Sequence, residues 1–131
     1  MRFLVPISLA AFGLVFALSA SAQDIEVPTA SDTIATGDGA VLRGLDRVAG
    51  TSADIALPLG GSAEVGHLRV MLQDCRYPVE NPAAEAYAWI EIFDMRADDM
   101  IFSGWMIASS PALNALDHRR YDLWLLRCTT S

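Results

Sequence analysis

The side chains with reactive potential in this sequence are two cysteines, two histidines and a scatter of serines and carboxylates. Cys75 and Cys128 are the only thiols. They have no C-x-x-C spacing and no histidine close to either, so a redox or metal-binding pair is not indicated. A structural disulfide is the chemistry they suggest, provided the chain reaches an oxidising compartment. His67 and His118 lie in separate segments, and a zinc or catalytic centre would need them to converge with carboxylates. No metal site and no cofactor is expected. Ser109 or Ser110, His118 and Asp117 can be combined on paper into nucleophile, base and orienting acid. No G-x-S-x-G elbow accompanies them, and neighbouring Asp117 and His118 need not face one another. No catalytic residue is assigned.

Two further acidic features have structural readings. Glu91 stands in Trp89-Ile90-Glu91-Ile92-Phe93. Turned inward, burial would raise its pKa unless Arg69 or Arg127 paired with it; turned outward, it is a solvated acid beside two aromatics. An ion pair or a solvated position is expected rather than a general acid. Asp98-Asp99 suits a hairpin turn better than a calcium site. The run Phe102-Ser103-Gly104-Trp105-Met106 offers binding instead of catalysis. A glycine inside a strand suggests a bulge or a close backbone approach, and Phe102, Gly104, Trp105 and Met106 form a candidate interaction surface, with core packing as the alternative.

The elements that must position these residues read as strands. Val41 to Val48 is one, followed by a turn at Ala49-Gly50-Thr51-Ser52. Asp54 to Leu57 returns, with Ile55, Leu57 and Leu59 on alternate positions. After Gly60-Gly61-Ser62, Val65 to Gln73 alternates Leu68, Val70 and Leu72 with polar or flexible residues. Arg76 to Glu85, with Pro78 and Pro82, is expected as a surface loop. Tyr87 to Met95 and Met100 to Ile107 are aromatic and β-branched strands. Ser109 to Leu116 should hold one short helical turn, with Ser110 as cap, Pro111 at the first position, and Leu113 and Leu116 buried. Tyr121 to Cys128 is the last strand. The expected fold is all-β: a compact antiparallel sandwich or small barrel of about six short strands.

The amino terminus supplies the address. Arg2, an uncharged apolar stretch from Phe3 to Leu18, and small residues at Ala20 and Ala22 make the secretory pattern, with cleavage after Ala22. Residues 1–22 are thus expected to be a signal peptide, 23–39 a flexible acidic leader, and 40–131 a single β domain. The span is near the ~20 apolar residues that cross a bilayer, yet its small-residue exit favours cutting, so no stable membrane anchor is expected after cleavage. Every basic side chain is an arginine and alanine is abundant, as in GC-rich bacterial genomes, for which the exported compartment is the periplasm. The formal charge is −7, and no basic footprint for nucleic acid is visible.

Gly39-Ala40-Val41-Leu42-Arg43-Gly44-Leu45-Asp46, Cys75-Arg76-Tyr77-Pro78, Phe102 to Met106 with Ala108-Ser109-Ser110-Pro111-Ala112-Leu113, and Tyr121-Asp122-Leu123-Trp124-Leu125 with Cys128 together resemble one family. It consists of uncharacterised exported proteins of alphaproteobacteria with a domain of unknown function (number 2155). The resemblance spans Gly39 to Cys128 and implies cysteines at these same two positions. It implies no reaction. The expectation is a non-enzymatic periplasmic β domain that binds a protein partner or serves as an accessory factor in the cell envelope. Its alternatives are a hydrolase-type enzyme acting on envelope material, built around Glu91 or the Ser109–His118 region, and a module binding a small ligand inside a barrel.

Overall fold

The computed structural model describes residues 33–130. The expected signal peptide, its expected cleavage site and the first part of the expected acidic leader lie outside the described residues. Within them the chain is all-β, with eight strands and one short 3-10 turn. The strands are β1 (Ile34–Thr36), β2 (Gly39–Asp46), β3 (Thr51–Pro58), β4 (Ser62–Val65), β5 (Leu68–Pro78), β6 (Tyr87–Asp94), β7 (Asp99–Ile107) and β8 (Tyr121–Thr129). They build two antiparallel sheets: five strands in the order β1-β5-β6-β7 with β4 also on β5, and three in the order β3-β2-β8. The sheets face one another as an open sandwich, so of the two expected architectures the sandwich is the one formed.

The core lies between the sheets. Leu68, Val70, Leu72, Ala88, Ile90, Ile92 and Met106 from one sheet meet Ala40, Leu42, Leu57, Tyr121, Leu123 and Leu125 from the other, all buried. Their spacing is the period of two that puts alternate side chains on one face of a strand. That alternation is interrupted where it matters most. A bulge on β5 lies between Leu72, opposite Ile90, and Asp74, opposite Trp89. The extra residue, Gln73, shifts the alternation, so Cys75 faces the core and Asp74 does not. On β8, Leu125 lies opposite Leu42 and Arg127 opposite Val41, with Leu126 as the extra residue. Cys128 is thereby turned to the same interior. The two sulfurs are bonded, with Cα atoms 5.8 Å apart, and the disulfide staples one sheet to the other.

Four expectations about elements are corrected. Val65 to Gln73 is not one strand. Val65 pairs with Leu68 across a two-residue turn at Gly66-His67, with Gly66 at φ 57, the conformation a tight hairpin asks of its first central residue. The leader does not stay apart up to residue 39, because Ile34, Ala35 and Thr36 pair with Pro78, Tyr77 and Arg76. This pairing also extends β5 into the stretch expected as a loop, since backbone groups on both strands find partners there. The turn after Ser109 is a 3-10 turn at Pro111–Leu113, and Ser110 makes no side-chain cap. Leu113 is 74% exposed, and Leu116 alone fills the core at that corner.

Candidate functional site

The outer face of the five-stranded sheet carries an aromatic surface. Along β6 the outward residues are Tyr87, Trp89, Glu91 and Phe93, each half-buried, while Ala88, Ile90 and Ile92 point into the core. On β7, Trp105 lies directly opposite Trp89. Their rings meet edge to face, with centroids 5.5 Å apart, the geometry in which the positive edge of one ring meets the negative face of the other. The Arg76 guanidinium sits 5.8 Å from the centre of the Trp105 ring, a cation–π contact, and is held by Asp74 at 2.8 Å. Ile34 on β1, Arg76, Tyr87 and Trp105 line an open depression of about 390 Å³. Ile34 is 47% and Trp105 36% exposed, so both offer apolar surface at the rim of this depression.

The four residues expected to share an interaction surface do not share a face. Trp105 points outward, whereas Met106 is buried in the core and Phe102 packs against that core. Strand alternation separates neighbours in this way, so the outward partners of Trp105 come from other strands: Trp89, Tyr87, Arg76 and Ile34. Gly104 is buried under Asn114, whose Nδ2 would lie 2.8 Å from a Cβ built there and donates to the Trp105 carbonyl at 2.9 Å. The expected close approach is therefore to a side chain, and the bulge in β7 sits three residues earlier, at Ile101, between Met100 opposite Phe93 and Phe102 opposite Ile92.

Glu91 faces outward beside Trp89 and accepts a hydrogen bond from Gln73 at 3.2 Å. Arg69, one of its expected partners, faces Glu64 instead, at 3.8 Å. The Ser109–His118–Asp117 combination is not assembled. Ser109 donates its hydroxyl and its backbone N–H to Glu85. Burial tends to raise the Glu85 pKa, but the bonds from Ser109 and the Ala86 N–H outweigh it and hold the carboxyl below its ordinary range.

His118 belongs to a different cluster at another end of the sandwich. Its Nδ1 accepts from the backbone N–H groups of Arg120 and Tyr121, at 3.0 and 3.3 Å. Those bonds assign the ring proton to Nε2, which lies 3.3 Å from Asp94 Oδ2. The other Asp94 oxygen accepts the N–H groups of Arg96 and Ala97 and so caps the β6–β7 turn. The Ala97 N–H is the largest influence holding the Asp94 carboxyl below its ordinary pKa. Asp46 repeats the device on the β2–β3 turn. It accepts from Val48 and Ala49 and receives a two-pronged hydrogen bond from Arg120 at 3.1 and 2.9 Å. Arg120 first, then the Ala49 N–H, bring the Asp46 pKa down to about 2. Two hairpin turns are thus tied to one segment, His118 to Arg120, that leads into β8. The sequence carried no signal for this, because Asp94 and His118 are 24 positions apart and share no motif. Asp98, with φ 52, sits in the β6–β7 turn as expected, and Asp99 opens β7. Among the described residues, no group of three or more histidine, cysteine, aspartate or glutamate side chains is placed to hold a metal ion.

A family model described as an uncharacterized protein conserved in bacteria (DUF2155) matches residues 40–128. An uncharacterized protein of Rickettsia prowazekii (strain Madrid E) is similar as well, at 25% identity over 87 residues. That alignment covers 64% of this chain and 56% of the relative, so the chain spans little more than half the length of the curated protein it matches. No solved structure matches the chain.

Proposed function

The chain belongs to this DUF2155 family of bacterial proteins, and we propose that it serves as a non-enzymatic binding module, exported to the periplasm, that docks a protein partner in the cell envelope. The observation that carries this reading is the exposed aromatic surface around Trp105. A strand face that presents Trp105 edge to face with Trp89, with Ile34, Tyr87 and Arg76 beside it, has the composition of a binding hot spot, in which tryptophan, tyrosine and arginine predominate. Arg76 at its border favours a partner whose apolar side chain is flanked by an acidic group. Export is supported by the charged start, apolar middle and small-residue exit of residues 1–22, and the Cys75–Cys128 bond is compatible with it.

The enzyme alternative loses its proposed constellation, because Ser109 and His118 line different clefts and bind different carboxylates. The barrel-interior alternative loses its container, since the two sheets remain open and the space between them is filled by side chains. Photo-crosslinking from position 105 in intact cells tests the docking reading. A discrete crosslinked partner is expected whose recovery with a chemical crosslinker falls on Trp105→Ala, while a control at exposed Thr51 captures nothing comparable. Identical recovery from wild type and Trp105→Ala would sink the docking surface. Accumulation of the uncleaved chain in the cytoplasm would sink its address.

A further inference from the structure

Most of the arginines among the described residues face a carboxylate. Arg43 holds Asp54 at 2.7 Å, Arg47 holds Asp122 at 2.6 Å, Arg69 faces Glu64 at 3.8 Å, Arg76 holds Asp74 at 2.8 Å and Arg120 holds Asp46 at 2.9 Å. Arg127 lies in the field of Asp54. Arg96 and Arg119 have no carboxylate partner among the described residues, and both line the same cleft, about 350 Å³ in volume, at the His118 end of the sandwich. This is unexpected in a chain of formal charge −7, where a free guanidinium has many acids to choose from.

The acid inside the cleft is already committed. Asp94 accepts two backbone N–H groups on one oxygen and lies against His118 on the other. His67 also lines the cleft, and its ring makes an edge contact with Tyr121 without spending a ring nitrogen on a protein hydrogen bond among the described residues. Arg96, Arg119 and His67 therefore present donors with no acceptor among the described residues. They come from three separate connections: the β6–β7 turn, the segment before β8 and the β4–β5 turn. All three turns are fixed in place by Asp94, His118 and Tyr121, so the donors are carried on a preorganised frame.

We propose that this cleft binds an oxyanion, a carboxylate or phosphate group, between Arg96 and Arg119 with His67 as a further donor. Guanidinium groups give charge-assisted, often two-pronged hydrogen bonds to either group, and the cleft volume falls in the range of small-molecule sites, ~300–1,000 Å³. The site is separate from the aromatic surface and does not rest on the docking reading.

The test is an amide-resolved NMR titration of the protein with inorganic phosphate and, separately, with succinate, at ionic strength held constant with sodium chloride. Saturable shifts are expected at the amides of residues 96–97 and 119–120. Removing both guanidinium groups with Arg96→Gln and Arg119→Gln should weaken the apparent Kd by at least about tenfold, the scale of one lost charged hydrogen bond. Trp105→Ala should leave it unchanged. Both arginines are exposed and unpaired, so the double variant should keep the wild-type melting temperature; Arg96→Lys with Arg119→Lys should retain part of the affinity. Saturation by phosphate alone identifies a phosphate-bearing ligand, and by succinate alone a carboxylate. Shifts that follow ionic strength for every anion, or that persist unchanged in the Gln double variant, overturn the proposal.

Discussion

Asp46 and Asp94 each do two things with one carboxylate: they cap a hairpin turn and hold the segment before β8. Both carboxyls are held below their ordinary pKa, Asp46 at about 2. A carboxylate whose folded pKa is depressed stabilises the fold above its unfolded value, near ~4, and that stability is lost as pH falls through the folded pKa. Acid unfolding should therefore set in between about pH 4 and pH 2. In Arg120→Gln, which removes the largest cause of the Asp46 shift, stability should be lower at neutral pH and should change less across that window. Urea melts at a series of pH values check this, and an unchanged acid limb in the variant would count against the Asp46–Arg120 pair. Gly66 is a second residue with a double duty. It adopts φ 57, and a Cβ there would collide with the Tyr121 hydroxyl, which accepts the His67 N–H at 3.2 Å. Gly66→Ala should cost about 1–2 kcal/mol from the backbone alone, and more from the displaced ring, read as a lower urea midpoint.

At the scale of elements, the strand edges explain why the short 3-10 turn at Pro111–Leu113 exists. β7 ends the five-stranded sheet, and a free edge is a template for pairing with other chains. Asn114, just past the turn, donates to the Trp105 carbonyl on that edge at 2.9 Å and covers Gly104. Asn114→Ala should reduce stability by about 1 kcal/mol, the usual net value of one hydrogen bond. It should also increase self-association at high concentration, read by light scattering; a strictly monomeric variant of full stability would show that the edge needs no guard. β1 guards another edge, along the final residues of β5, and it does so with residues 34–36 of the acidic leader. That pairing was illegible beforehand because a three-residue strand has too few positions to display a period.

At the scale of the molecule, the described residues form two sheets joined across one core, with the Cys75–Cys128 bond crossing between them. Cutting that bond should cost about 4 kcal/mol in the chain-entropy account, a large part of the ~5–15 kcal/mol that holds a domain of this kind together. Reduction under native conditions, or Cys75→Ala with Cys128→Ala, should lower the denaturation midpoint accordingly. A midpoint indifferent to reductant would mean that core packing alone suffices. The all-β class, most of the core stripe and the pairing of the cysteines were determined by the sequence by itself. Alternation along Leu68, Val70 and Leu72 or Tyr121, Leu123 and Leu125 is a local property, and two thiols can make one bond. Tertiary structure alone decided the rest. Continued alternation from Leu72 would have put Asp74 in the core and left Cys75 outside, and from Leu125 it would have done the same to Cys128. A bulge in each strand reverses this, and a bulge is settled by register against the neighbouring strand. The meeting of His118 with Asp94, the gathering of Arg96, Arg119 and His67, and the company Trp105 keeps with Ile34 and Arg76 have the same origin. Contacts between residues distant in the chain are set by how sheets pair and pack, which no single strand encodes.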